Sequence, residues 1–180
     1  MFVIFSRLFF NLFYTKKYLE GRWFEESLEG YKWCWKNFIN QKIFRINSSV
    51  PWTVSSKIVI GNAENLIFDM DDLNNFQHFG CYFQNYNAKI YIGKGTYIAP
   101  NVGIITENHD YQNLDLHFPA KDVVIGEKCW IGMNSVILPG VELADNTIVG
   151  AGSIVTKSFL NGNCIIAGNP AKIIKKLEVE

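Results

Sequence analysis

Between Ile125 and Val155 an aliphatic side chain recurs at every sixth position: Ile125, Ile131, Ile137, Leu143, Val149 and Val155. Two residues ahead of each stands Val123, Cys129, Ser135, Val141, Thr147 or Ser153, none larger than valine. Six is a multiple of two but not of 3.6. On a helix these residues would spiral round the axis, whereas on extended chain they all point to one side. Gly126, Gly132 and Gly150 follow three of the aliphatics, and Asn134, Gly140, Asn146 and Gly152 tolerate the positive φ that a sharp turn demands. Each unit therefore reads as a short strand and a corner. One unit cannot bury its aliphatic alone, but stacked coils line these side chains into one core.

The same spacing appears earlier at Ile92, Ile98 and Ile104, while Ile58 and Ile60 with Gly61 read as a first corner. Glu64 to Gln84 keeps its hydrophobics without a clean register. Ile125 follows Ile104 by twenty-one residues, which is not a multiple of six, so the coil is interrupted. Residues 106–122 are polar, hold Pro119 and carry two of the three histidines, which marks them as a functional loop leaving the solenoid. Residues 1–50 lack the repeat and are dense in aromatics with basic residues interleaved, a helical segment ended at Val50-Pro51-Trp52. The solenoid is expected over 51–166. Residues 167–180 are expected to form a loop and a short capping helix, Ala171 to Leu177, with Pro170 in its first turn.

With 180 residues, 48% of them hydrophobic, the chain suits one domain with a sizeable core. A net charge of zero gives no reason to expect nucleic acid, which calls for a concentrated basic face. Cys34, Cys81, Cys129 and Cys164 are far apart and form no CxxC, which argues against a zinc set or a disulfide framework and for a reducing, cytoplasmic interior. Cys129, at a small inward position, reads as packing and not as a nucleophile. The N-terminal apolar run is broken at Arg7 and falls short of the ~20 residues a spanning helix needs. It also lacks the cleavage site of a signal peptide. Residues 1–46 carry eight Lys/Arg against four Glu. Such a segment either packs as a pair of helices on the solenoid or a neighbouring subunit, or lies flat on the anionic inner face of a membrane as a peripheral contact. The two are compatible.

The periodicity resembles that of the hexapeptide-repeat acyltransferases, in particular their sugar and polysaccharide O-acetyltransferase branch. The resemblance covers about Ser56 to Leu177 and implies a mainly β fold, a left-handed parallel β-helix in which three hexapeptides make one triangular coil. It also implies a homotrimer with acetyl-CoA held in the groove between adjacent solenoids. In that branch an Ile-Ala-Pro-Asn-Val segment ends a coil and the catalytic histidine follows the proline by nine residues. Ile98, Ala99, Pro100, Asn101 and Val102 take that form here, and His109 lies nine residues after Pro100. His109 is thereby expected to be the general base that takes a proton from an acceptor hydroxyl, with a backbone N–H for the oxyanion. Glu107, Asp110, Asp115 and a backbone carbonyl all remain open as its orienting partner. His117 is the runner-up base, and His78 is a candidate for the acceptor site.

The run from Cys129 to Lys175 resembles the family's cofactor side. Trp130 would be a wall, with Gly132 and Met133 giving backbone contacts to the pantetheine arm. Ala151, Thr156 and Lys157 would lie along the arm and nucleotide, and Lys172 and Lys175 would meet the phosphates. Where relatives often carry Arg, this chain has Lys, a point charge in place of a fork. GxG patterns such as Gly93 with Gly95 open no helix after a strand and are not nucleotide fingerprints. The leading expectation is an acetyl-CoA-dependent O-acetyltransferase acting on a sugar in surface or exopolysaccharide assembly. Alternatives are N-acetylation of an amino-sugar nucleotide, O-acetylation of a small alcohol such as serine, a three-histidine metal hydratase using His78, His109 and His117, and a solenoid that only binds or scaffolds.

Overall fold

The structure, a computed structural model, describes residues 2–178. Its repeating part is a three-sided parallel coil. The strands run β1 (Val59–Ile60), β2 (Leu66–Ile67), β3 (Tyr82–Gln84), β4 (Ile90–Ile92), β5 (Tyr97–Ile98), β6 (Gly103–Ile105), β7 (Val123–Ile125), β8 (Trp130–Ile131), β9 (Val136–Ile137), β10 (Glu142–Leu143), β11 (Thr147–Val149), β12 (Ile154–Val155), β13 (Cys164–Gly168) and β14 (Ala171–Lys176). The first face stacks β1, β3, β6, β9 and β12; the second stacks β2, β4, β7 and β10; the third stacks β5, β8, β11, β13 and β14. Every pairing is parallel except β13 with β14.

The six-residue period is the core. Ile92, Ile98, Ile104, Ile125, Ile131, Ile137, Leu143, Val149 and Val155 are all buried, as are the residues two positions ahead of them, all small except Ile90. The polar small residues are satisfied by corner carbonyls: Thr96 Oγ1 donates to Gly126 O at 2.8 Å, Ser135 Oγ to Gly150 O at 3.1 Å and Thr147 Oγ1 to Ala144 O at 2.6 Å. Asn134, Gly140, Asn146 and Gly152 have φ between 57° and 78°, as the turn chemistry requires. Gly126, Gly132 and Gly150 are needed for a different reason. A Cβ on Gly132 would lie 2.6 Å from both the Ala151 nitrogen and the Val149 oxygen, so glycine is what lets successive coils close at that corner.

The unregistered stretch, Glu64 to Gln84, has a physical cause. Where the third face would place a strand, Met70–Phe76 forms a 3-10 helical segment. The side chain of Asn75 then acts as the missing strand for β5: its Nδ2 donates to Thr96 O at 2.8 Å and its Oδ1 accepts from Ile98 N at 2.9 Å. Asp72 accepts from Gly95 N at 2.7 Å in the same manner.

Residues before the coil form helices α1 (Phe2–Phe10), α2 (Arg22–Glu25) and α3 (Glu29–Phe38), the last running into a π-helical turn, Ile39–Ile43. They close the first coil. Trp52, fully buried, sits against Tyr18 and Phe68, each at 4.9 Å between ring centroids, and against Phe76 at 5.6 Å. Gln41 joins the two regions, its amide donating to Val50 O and Trp52 O while its carbonyl accepts from Tyr14 OH. Asp71 accepts from Arg22 N and, through its carbonyl, from Trp23 Nε1.

The expected C-terminal helix over Ala171 to Leu177 is not formed; that stretch is β14, an antiparallel hairpin partner of β13. Gly168, at φ +105°, and Asn169-Pro170 make the turn, and the neighbouring Ile173 and Ile174 favour extended chain. The hairpin gives the edge of β13 a partner, which a helix would not.

Replacing Asn75 by Ala leaves a buried carbonyl and a buried N–H without partners. A loss of about 2–4 kcal/mol is expected, read as a fall in the urea midpoint; an unchanged midpoint would contradict the strand-substitute role.

Candidate active site

The excursion leaves the first face after β6 and returns as β7. Its feet are pinned. Thr106 Oγ1 donates to Gln84 O at 2.7 Å, Lys121 N to Thr106 O at 2.8 Å, and Lys89 N to Asp122 Oδ1 at 2.8 Å. Beyond the feet the loop folds on itself: Asp110 N bonds Leu116 O, Phe118 N bonds Asn108 O, and His109 opposes His117 in an antiparallel bridge. Asp110 and Asn113 accept from Gln112 N and Asp115 N, Asx turns that tighten the tip.

His109 is exposed and held by one contact, Nδ1 to the Leu114 carbonyl at 2.8 Å. A carbonyl only accepts, so Nδ1 carries the proton and Nε2 of the neutral ring presents a lone pair. Of the orienting partners left open by the sequence, the backbone carbonyl is the one the geometry selects. Glu107 instead accepts from Asn87 Nδ2 at 2.9 Å. The ring of His117 lies 4.1 Å from that of His109, tilted by 36°. His78 is elsewhere, its Nε2 donating to Ile98 O at 2.8 Å. Among the described residues no three of His, Cys, Asp and Glu converge as a metal-holding group.

The residues matched to the cofactor side divide between two edges. Trp130, more than half exposed, stands in a column on the outer side of the third face: it pairs with Ile148, Ile148 with Ile165, and Ile165 with Lys175. Three strand spacings separate Trp130 from Lys175, about 14 Å. The β-bulge at Ile165/Ile166 sets Lys172 opposite Ala167 and Lys175 opposite Ile165, so both lysines fall on the outward register of β13. Gly132, Met133 and Ala151 stack at the corner that follows this face, with Met133 O accepting from Gly152 N at 2.8 Å. Gly132 is buried, its N–H is committed to Val149 O at 2.8 Å and the next coil fills the place of its Cβ, so it offers no free donor. Thr156 and Lys157 lie across the first face, at the same corner from which the His109 loop departs two coils earlier. Lys157 also borders a hollow of about 240 Å³ with Phe159, Gly162 and Ile173. Sequence reasoning missed Leu114, because a backbone partner leaves no residue-type signal, and missed the hairpin that positions the two lysines.

Residues 122–157 match the family model described as bacterial transferase hexapeptide (six repeats). Residues 122–157 thus carry the hexapeptide repeat. Over 108 residues the chain is 36% identical to the galactoside O-acetyltransferase of Escherichia coli (strain K12), a match covering 53% of this chain and 51% of that protein. It is 39% identical over 89 residues to the colanic acid biosynthesis acetyltransferase candidate WcaF of the same organism, covering 49% and 48%. Among solved structures, a maltose O-acetyltransferase from Clostridium difficile 630 superposes with a TM-score of 0.51 at 36% identity, covering 68% of this chain and 60% of that one. The chain spans about half the length of the curated relatives it matches.

All four cysteines are buried and free. Burial pushes the thiols of Cys34 up to about 12 and Cys81 up to about 11, and raises Cys129 as well. An aromatic disulfide reagent at pH 8 is expected to label none of them in the native protein and all four in denaturant; labelling of native Cys129 would reopen a thiol role. Raised thiol pKa values stabilise the fold below the ordinary value of 9.0. Above it the unfolded chain releases protons that the folded chain keeps, so stability falls as pH rises toward 11 or 12.

Proposed function

We propose that this chain is an acetyl-CoA-dependent O-acetyltransferase acting on a sugar hydroxyl in surface polysaccharide assembly, with His109 as the general base. The observation that carries the reading is the Nδ1–H bond to Leu114 O, which leaves Nε2 unprotonated and facing solvent on a pinned loop. A hydroxyl is a weak nucleophile until its proton is taken by a group titrating near neutrality. Nε2 accepts that proton as the sugar oxygen attacks the thioester carbonyl. Collapse of the tetrahedral intermediate forms the acetyl ester and expels the CoA sulfur, which recovers the proton from the imidazolium.

The residues fit an extended anionic donor. Trp130 supplies an apolar wall, the small exposed Ala151 allows backbone approach, and Lys172 and Lys175 stand about three strands away as cations for phosphate. The similarity to named sugar O-acetyltransferases supports the acceptor class. That to WcaF supports the polysaccharide setting.

The fold also supports a trimer in this reading. In one chain His109 springs from the corner after the first face, whereas Trp130 lies on the third face, with the first face between them. A neighbour related by a three-fold axis brings one chain's loop edge to the next chain's third face. Sedimentation equilibrium is expected to give a trimer; a fully active monomer would remove this arrangement.

His109→Ala is expected to lower kcat by roughly 10²–10⁴ while CoA affinity changes little. His117→Ala should keep most activity, and Lys172→Ala should raise KM for acetyl-CoA with kcat nearly intact. Steady-state assays with labelled acetyl-CoA over a panel of sugars, amino-sugar nucleotides and serine check these values and identify the acceptor. If His117→Ala is inactive while His109→Ala is active, both folded and trimeric, the base has been assigned to the wrong histidine.

A further inference from the structure

We infer that the N-terminal helices form a docking surface for an anionic lipid bilayer. In α1 the buried positions are Ser6 and Phe10. Ser6 Oγ accepts from Trp35 Nε1 at 3.1 Å, and the Phe5 and Phe9 rings stack on Trp35 at 6.3 and 5.2 Å, so α1 lies along α3 as one layer. Among the described residues nothing covers the opposite side of α1. Ile4 and Leu8, both 67% exposed, and Leu12, 79% exposed, follow one another at four-residue spacing as an outward ridge. Beyond α3, Ile39, Ile43 and Phe44 are exposed too. So long an apolar ridge on a water-facing helix is costly unless something covers it.

Charge selects the occupant. Residues 1–19 and 30–63 contain no Asp or Glu. The cations there include Arg7, Lys16, Lys36, Lys42 and Arg45, and among the described residues none of these five is in an ion pair. A second copy of this surface would bring like charges together, whereas anionic headgroups would neutralise them while the ridge enters the acyl boundary. Trp35, with its indole N–H bonded and its ring partly exposed, is the kind of side chain that settles at that boundary. No described helix is long and apolar enough to cross a membrane, so the contact is in the plane of the interface.

The full chain is tested by co-sedimentation with vesicles of phosphatidylcholine alone and of phosphatidylcholine with an equal part of phosphatidylglycerol. Binding to the anionic vesicles is expected, with release as salt rises from about 0.1 M to about 0.5 M, and little binding to the neutral ones. The double variant Leu8→Glu, Leu12→Glu should reduce the bound fraction roughly tenfold or more. Arg7→Glu with Lys16→Glu, which leaves the ridge intact, should weaken binding to anionic vesicles alone. The inference is overturned by absence of binding at low salt, or by both double variants binding as well as the native chain. It is also overturned if the ridge variant breaks up a larger assembly that the native chain forms without lipid, which would make the occupant a second copy.

Discussion

Strands of two or three residues make too few ladder bonds to hold a coil together, so everything else in this molecule depends on the inward columns that run through the stack. On the first face Phe83, Ile104, Ile137 and Val155 succeed one another; on the second Ile92, Ile125 and Leu143; on the third Ile98, Ile131, Val149 and Ile166. Each member buries its neighbours, and no coil is stable without the next. From Ile98 onward packing this close leaves room for nothing larger than valine two positions earlier, and at the Gly132 corner it leaves no room for a Cβ. Hydroxyls enter the small positions at little cost because corner carbonyls lie within their reach.

A column has two ends, and most of the irregular sequence serves to close them. At the first coil Trp52, Tyr18, Phe68 and Phe76 fill the triangle with rings, and Asn75 and Asp72 bond the backbone of the coil above where a strand is lacking. At the last coil Phe159 takes the place of a second-face strand, bridging to Leu143, and the β13–β14 hairpin folds back along the edge. The two solutions differ in kind. One end is closed by an aromatic layer that exposes its own apolar side, the other by a hairpin carrying charge.

These differences explain what the sequence revealed. The period from Ile125 to Val155, the turn residues from Asn134 to Gly152 and the interruption before Val123 were legible because stacking imposes the same demand on every coil. Glu64 to Gln84 was illegible because a side-chain amide replaced a strand, and an asparagine in a polar stretch looks like any loop residue. Ala171 to Lys176 misled because Pro170 suits a helix start as well as a hairpin turn, and only the open edge of β13 decides between them. The close stacking at Gly126, Gly132 and Gly150 was not legible, because it depends on the neighbouring coil.

The site shows the same division between repeat and exception. Trp130, Lys172 and Lys175 sit on a rigid ladder whose register fixes their separation, which suits binding a ligand of set length. His109 sits on a loop, but one whose feet are tied to Gln84 and Asp122 and whose tip is closed by its own turns, so the imbalance in rigidity is smaller than the word loop suggests. The Leu114 bond fixes the tautomer without adding a charge beside the ring. A carboxylate in that place would favour the imidazolium and hold its proton more tightly. A carbonyl holds the ring by geometry alone, which is what the proposed base needs: one fixed tautomer, set by a hydrogen bond and not by a neighbouring charge.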